Sequence, residues 1–186
     1  MKDPRSRMRM TFNVGPAQLG PHVPDDIKEA LENGFGSLSH RSPLFKEFYA
    51  KARNEIFKYF SLPDDWKIYF VGSGSEAMET AARGLIHKRS LHHVNGNFSK
   101  RAHIFAEMIG RDAILKEAPE LEGFTGEPEK APEGTDCVFF TKTETATGVS
   151  TSWDYIHAFK EKNPAVMVVC DIVPVAPTEP LTSEFV

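Results

Sequence analysis

The sequence predicts an α/β domain built on a mainly parallel sheet, and two observations carry that prediction. Short apolar runs alternate with amphipathic helical stretches along most of the chain, the pattern of βαβ units. The runs Cys137-Val138-Phe139-Phe140 and Val166-Met167-Val168-Val169-Cys170 are also continuous rather than alternating, as expected of strands covered on both faces.

The elements follow in order. Residues 1–24, with Gly15-Pro16, Gly20-Pro21 and Pro24, read as an irregular N-terminal arm ahead of a domain spanning 25–186. A short helix over 25–33 is opened by Asp25 and Asp26 and closed by Gly34. Ser42 is an N-cap and Pro43 the first helical residue of a longer helix. Phe45, Phe48, Ala52, Ile56 and Phe60 recur along it at helical spacing. Ile68–Val71 then reads as a strand running into Gly72-Ser73-Gly74-Ser75-Glu76 and a helix from Ala77 to about His87.

A second strand is expected at His92-His93-Val94, a helix over Ser99–Ile109 closed by Gly110, and a third strand at Ala113–Leu115. Residues 117–136 hold three prolines and three glycines and read as surface loop. The fourth strand is Cys137–Phe140, the next helix Ser152–Lys162 stopped by Asn163-Pro164, and the fifth strand Val166–Cys170. The tail beyond Ile172 carries Pro174, Pro177 and Pro180 and cannot be a central strand.

Composition narrows the function. With 40% hydrophobic and 26% charged residues, the 186-residue chain has the make-up of a soluble globular domain. A net charge of −4 argues against a nucleic-acid or membrane-surface binder. No apolar run approaches the ~20 residues that span a bilayer, and the opening Met1-Lys2-Asp3-Pro4-Arg5 lacks the apolar core of a secretory signal. Cys137 and Cys170 both lie in apolar runs and read as buried thiols, so a reducing, cytoplasmic setting is the default.

Open α/β sheets bind ligands beyond the C-terminal ends of their strands. Four polar groups are expected there: Gly72–Glu76, Asn95–Phe98, Thr143–Gly148 and Asp171. The glycine turn at Gly72–Ser75 opens a helix, where free amides and the helix dipole favour an anion such as phosphate. The same turn also reads as a plain βα connection with Ser75 as N-cap. Asp171 ends a very apolar strand, where its charge calls for a cation such as a protonated ring nitrogen, or for an Asx-turn. The hydroxyls of Thr143–Thr147 suit a phenolate or carbonyl oxygen, or simply a polar loop. Phe98 is placed to stack on a flat ring, or to start a helix as a core residue. His40 and Arg41 precede the long helix, and Arg suits carboxylate or phosphate. His87, His92, His93 and His103 fit no zinc spacing and read as partly exposed; no metal site is expected.

These pieces, in this order, resemble the class V branch of the fold-type I pyridoxal-phosphate (PLP) enzymes, with phosphoserine aminotransferases as the nearest family. The resemblance runs from Phe12-Asn13-Val14-Gly15-Pro16-Ala17 through Ser39-His40-Arg41-Ser42, Gly72–Ala77, Val94–Ser99 and Glu144–Gly148 to Val169-Cys170-Asp171. It implies a three-layer αβα large domain ending before the small C-terminal domain. It implies a phosphate cup at Gly74, Ser75 and Glu76, and Phe98 stacked on the pyridine ring. Thr145 would lie beside the phenolic oxygen and Asp171 on the ring nitrogen. His40 and Arg41 would bind the substrate's anionic group, often across a homodimer interface.

The implied activity is transamination between phosphoserine and 2-oxoglutarate in serine biosynthesis. An alanine–glyoxylate aminotransferase, a cysteine desulfurase and a non-catalytic homologue remain open at this point. The family's Schiff-base lysine follows the strand-end Asp by a few dozen residues, and no lysine follows Asp171 before Val186. No catalytic residue is therefore expected among these 186, nor transamination at an enzymatic rate. Pro174 stands where the family usually carries a hydroxyl.

Overall fold

The computed structural model describes residue 15, residues 18–176 and residue 178. The Phe12–Val14, Pro16 and Ala17 part of the opening motif lies outside the described residues, as does the tail at Pro177 and Pro180. The chain forms two compact units that divide between Tyr59 and Phe60.

The first unit holds two helices, α1 (Val23–Glu32) and α2 (Pro43–Phe60), with a 3₁₀ turn at Phe35–Ser37 between them. α1 begins inside the expected arm, because Pro24 sits in its first turn, where the missing N–H is no loss. Ser42 caps α2 as expected, its Oγ accepting the Phe45 amide at 3.1 Å. The Phe35 ring meets Phe48 edge-on at 5.3 Å and Phe45 at 6.4 Å. Neither helix has a buried residue.

The second unit contains a four-stranded parallel sheet in the order β2-β1-β3-β4. Its strands are β1 (Arg89–Val94), β2 (Asp112–Glu117), β3 (Thr135–Thr141) and β4 (Met167–Asp171). Three helices accompany it: α3 (Gly74–Leu85), α4 (Asn97–Met108) and α5 (Trp153–Lys162). α4 joins β1 to β2 and α5 joins β3 to β4, which makes both connections βαβ crossovers.

The two faces of β3 separate two cores. Val138 and Phe140 pack with Leu91, Tyr155, Ile156 and Phe159 on the α5 side. Cys137 and Phe139 pack with Ala82, Ile86, Ala102 and Ala106 on the α3 and α4 side. This two-residue alternation puts helices on both faces, which is why the strand reads as a continuous apolar run.

Three expectations need correction. Ile68–Val71 joins no strand of the four-stranded sheet, and Tyr69 is 79% exposed. An apolar run favours extended backbone, but pairing is a tertiary decision. α3 starts at Gly74 rather than Ala77, and Ser73 rather than Ser75 is its N-cap. The reason is the spacing Ser73-x-x-Glu76, the pattern of a capping box. Finally, His92, His93 and His103 are buried at 0%, 2% and 8% exposure, and of these four histidines His87 alone is exposed. β1 is an interior strand, so its polar residues are covered whatever their chemistry.

These buried histidines are packed as aromatic rings. His92 stacks on Phe139 at 4.7 Å and bonds Ser90 Oγ at 2.8 Å. His93 sits among Phe124, Phe140, Tyr155 and Phe159. Burial pushes both imidazoles down to about 3, so they are neutral at any ordinary pH. Burial also pushes the Cys137 and Cys170 thiols up to about 12, which leaves them unreactive.

Candidate functional site

β1 and β3 are neighbours whose following helices cover opposite faces of the sheet, which makes the end of this pair a topological switch point. The four sequence-predicted groups of this unit are linked there by contacts.

At the first group, the Ser73 hydroxyl accepts the Glu76 amide at 3.1 Å. The Glu76 carboxylate accepts the Gly72 amide at 2.7 Å. Glu76 is thus committed to shaping the turn through both its amide and its side chain. Gly74 and Ser75 open the first turn of α3, where amides have no intrahelical acceptor and the helix dipole is positive. Ser75 Oγ accepts a hydrogen bond from Arg101 Nη1 at 2.7 Å.

Arg101 leads to the second group. Its guanidinium lies 5.1 Å from the centre of the Phe98 ring, a cation–π contact. It therefore brings a positive charge to the mouth of the glycine turn and braces the predicted ring stacker. Sequence reading missed Arg101. Its signal was the three-residue spacing from Phe98, which puts both on one helix face.

The third group is reached through Glu144, a residue of 0% exposure in the turn after β3. Its Oε2 accepts the amides of Phe98 and Ser99 at 3.0 and 3.1 Å. Thr145 follows it directly and is half-buried. Thr143 Oγ1 and Ser150 Oγ, 2.7 Å apart, close the base of the same loop. A cleft of about 530 Å³, walled by Asn95, Gly96, Ala118, Leu121 and Thr147, opens beside it.

Asp171 is the fourth group, half-buried at the end of β4. Its carbonyl accepts the Lys142 amide at 2.9 Å, extending the β3–β4 ladder to the site. Its Oδ1 accepts the Val173 amide at 3.0 Å, so the Asx-turn is present. Pro174 sits inside the turn that follows. A side chain at Gly74 would lie 3.6 Å from Val173, so the glycine turn lies against this segment. Burial raises the Asp171 carboxyl above the ordinary 3.8; the Val173 amide opposes that rise and the Glu144 charge adds to it. A cation set against Asp171 would relieve that cost, as the predicted partner requires.

His40 and Arg41 lie in the first unit, exposed in the turn before α2, where the Arg41 amide donates to Ser39 Oγ at 3.3 Å. Among the described residues, no group of three His, Cys, Asp or Glu could hold a metal ion, and no helix is long and apolar enough to cross a membrane.

The profile described as "Aminotransferase class-V" matches residues 10–183. A phosphoserine aminotransferase of Rhodococcus opacus is 32% identical over 143 residues, which cover 75% of this chain and 37% of that protein. A putative phosphoserine aminotransferase of Mycobacterium leprae is 30% identical over 145 residues with the same coverage. Among solved structures, a phosphoserine aminotransferase from Cytophaga hutchinsonii superposes with a TM-score of 0.84 at 33% identity, over 90% of this chain and 46% of that one. A PLP-bound phosphoserine aminotransferase from Trichomonas vaginalis, at 20% identity and a TM-score of 0.64, shares the fold over 76% of this chain and 46% of its own. The chain thus spans less than half the length of these relatives, 37% to 46%. On the profile match alone, which takes in nearly every residue, the chain belongs to the class V aminotransferase family.

Proposed function

We propose that this chain forms the cofactor-holding part of a PLP-dependent aminotransferase with phosphoserine as amino donor and 2-oxoglutarate as acceptor. The observation that carries this reading is the linked chain of contacts from Ser75 through Arg101, Phe98 and Glu144 to the Thr145 turn, with Asp171 closing the other side. Relatives named as phosphoserine aminotransferases, at 30–34% identity, support the substrate.

Each residue then has a task its surroundings suit. The Gly74 and Ser75 amides hold the cofactor phosphate, with Arg101 as counter-charge and Glu76 shaping the turn. Phe98 gives its ring face to the pyridine, and the Thr145 hydroxyl lies beside the phenolic oxygen. Asp171 faces the ring nitrogen and keeps it protonated. When bound, the cofactor supplies an electron sink for the substrate's Cα. His40 and Arg41 bind the substrate's phosphate or carboxylate, in a homodimer of a cytoplasmic enzyme of serine biosynthesis.

Titration of the chain with pyridoxamine 5′-phosphate tests the cofactor reading, because that probe has ring, phosphate and phenolic oxygen but needs no lysine. Saturable binding weakened by Asp171→Asn is expected; absence of binding overturns the reading. On the chain loaded with this amine form, the 2-oxo acid of phosphoserine should bind more tightly than pyruvate, the 2-oxo acid of alanine, and Arg41→Ala should abolish the preference. Equal binding of the two oxo acids refutes the substrate assignment.

A further inference from the structure

We infer that Glu144 is a positioning residue whose buried carboxylate holds the Phe98 segment and the Thr145 turn in one rigid frame. The inference rests on the cofactor reading above for its functional meaning, but its structural content stands by itself.

Glu144 is anchored at both ends. Its backbone belongs to the turn after β3: its amide donates to Val149 O at 2.8 Å, and its carbonyl accepts from Gly148 at 2.7 Å and Thr147 at 3.3 Å. Its side chain leaves that turn and reaches the first turn of α4. There Oε2 takes the Phe98 and Ser99 amides at 3.0 and 3.1 Å and lies 3.2 Å from Ser99 Oγ. Oε1 comes back to its own turn and accepts the Ala146 amide at 3.3 Å. One carboxylate therefore binds both segments, with Phe98 supplying a bonded amide on one side and Thr145 lying between the bonded residues on the other.

A helix start can be capped far more cheaply. Most caps are a local Ser, Thr, Asp or Asn. α4 instead has Gly96 at its N-cap position, with no side-chain cap of its own. The capping oxygen comes from a residue 46 positions away from Phe98. A local cap would stabilise α4 equally but would leave the ends of β1 and β3 independent.

Gly96 is matched to this arrangement. Its backbone is extended, at φ 166°, which any residue can adopt. Space is the constraint: a Cβ there would lie 2.1 Å from Glu144 Cγ. The carboxylate is tolerated at 0% exposure because two amides, a hydroxyl and the positive end of α4 compensate its charge. Removing it takes the acceptor from the part-buried Phe98 amide and the buried Ser99 amide, which costs more than losing an exposed cap would, while the Ser99 hydroxyl keeps the Gly96 carbonyl at 3.0 Å.

The test compares the chain with Glu144→Ala and Glu144→Gln by amide hydrogen exchange and by pyridoxamine 5′-phosphate titration. Glu144→Ala should speed exchange at residues 97–100 and 145–149 together, by about tenfold or more, while β1 and β3 stay protected. Affinity for the probe should fall by about tenfold or more. Glu144→Gln, which keeps one acceptor, should fall between and serves if the alanine variant does not fold. Ser152→Ala, which removes the cap of α5, should lower stability without moving either readout. Loosening of residues 97–100 alone with unchanged affinity would make Glu144 a helix cap and overturn the proposal. Unchanged exchange in both segments would overturn it too. If the unaltered chain binds no probe, the cofactor reading fails, and the exchange experiment still decides the frame.

Discussion

At the N-terminal end of the sheet, Asp136 Oδ2 accepts three successive amides, those of His87, Lys88 and Arg89, at 3.1, 2.6 and 2.9 Å. At the C-terminal end, Glu144 Oε2 accepts two successive amides and faces a hydroxyl, at 3.0 to 3.2 Å. The bonding is nearly the same, yet the surroundings differ. Asp136 is half-buried, whereas Glu144 has no exposed surface. The lower carboxylate splices α3 to β1, and water can replace it. The upper one is sealed in and joins two loops beside the candidate site. A carboxylate on backbone amides is therefore an open joint at one end of this sheet and a sealed one, beside the candidate site, at the other.

That contrast can be attacked from four directions, beginning with the largest effect. Gly96→Ala forces a methyl into Glu144 and should destabilise the second unit by ~2 kcal/mol or more, measured by urea unfolding. Combining it with Glu144→Ala should cost less than the two single losses added together. Strict additivity would show that the clash is not with Glu144.

Asp171→Asn should weaken pyridoxamine 5′-phosphate about tenfold or more while leaving the melting temperature unchanged or higher, because burial already disfavours the charge. In the unaltered chain that affinity should fall as pH drops through the Asp171 value, which lies above the ordinary 3.8, because protonation removes the cation's partner. The asparagine variant should lose this dependence. An equal loss of stability and affinity would instead make Asp171 structural.

The third prediction concerns His92 and His93, on the strand that leads to the upper clamp. Both titrate near 3 when folded against 6.5 when free. Above pH 6.5 neither state carries the protons. Below it the unfolded chain takes them up and the folded chain does not, so stability falls steadily from pH 6.5 down to about 3. His93→Phe, which keeps a ring among the four aromatics, should remove about half of that slope. A flat profile in the unaltered chain would contradict the burial of these rings.

Asp136→Asn should have the smallest effect, a drop of a few degrees in melting temperature with no change in probe affinity. The three amides hold the Asp136 carboxyl below its ordinary 3.8. Its contribution is therefore full above that value and lost as pH falls below it. A loss of affinity in this variant would erase the distinction between the two ends.

Much of this molecule was legible in the chain itself. Periodicity placed α2, α4, α5 and four of the five expected strands within a few residues, and Ser42 and Ser152 start their helices as N-caps where local chemistry says they should. The continuous apolar runs announced a parallel sheet with both faces covered. The strand-end position of Asp171, the glycine turn and the motif order were enough to name the family. Those features are local, or set by one- or two-residue periods, and short-range chemistry writes them directly into sequence.

Tertiary structure alone decided the rest. Whether Ile68–Val71 pairs depends on which edges a sheet offers, not on its own residues. His92 and His93 are buried because β1 became an interior strand, and their polarity had suggested the opposite. Arg101 reaches Ser75 across 26 positions, and Glu144 reaches Phe98 across 46. Contacts between distant residues carry no periodic signature, because they arise only when separate elements pack. The chain therefore states which groups can do the chemistry, and packing selects the arginine and the carboxylate that hold them in place.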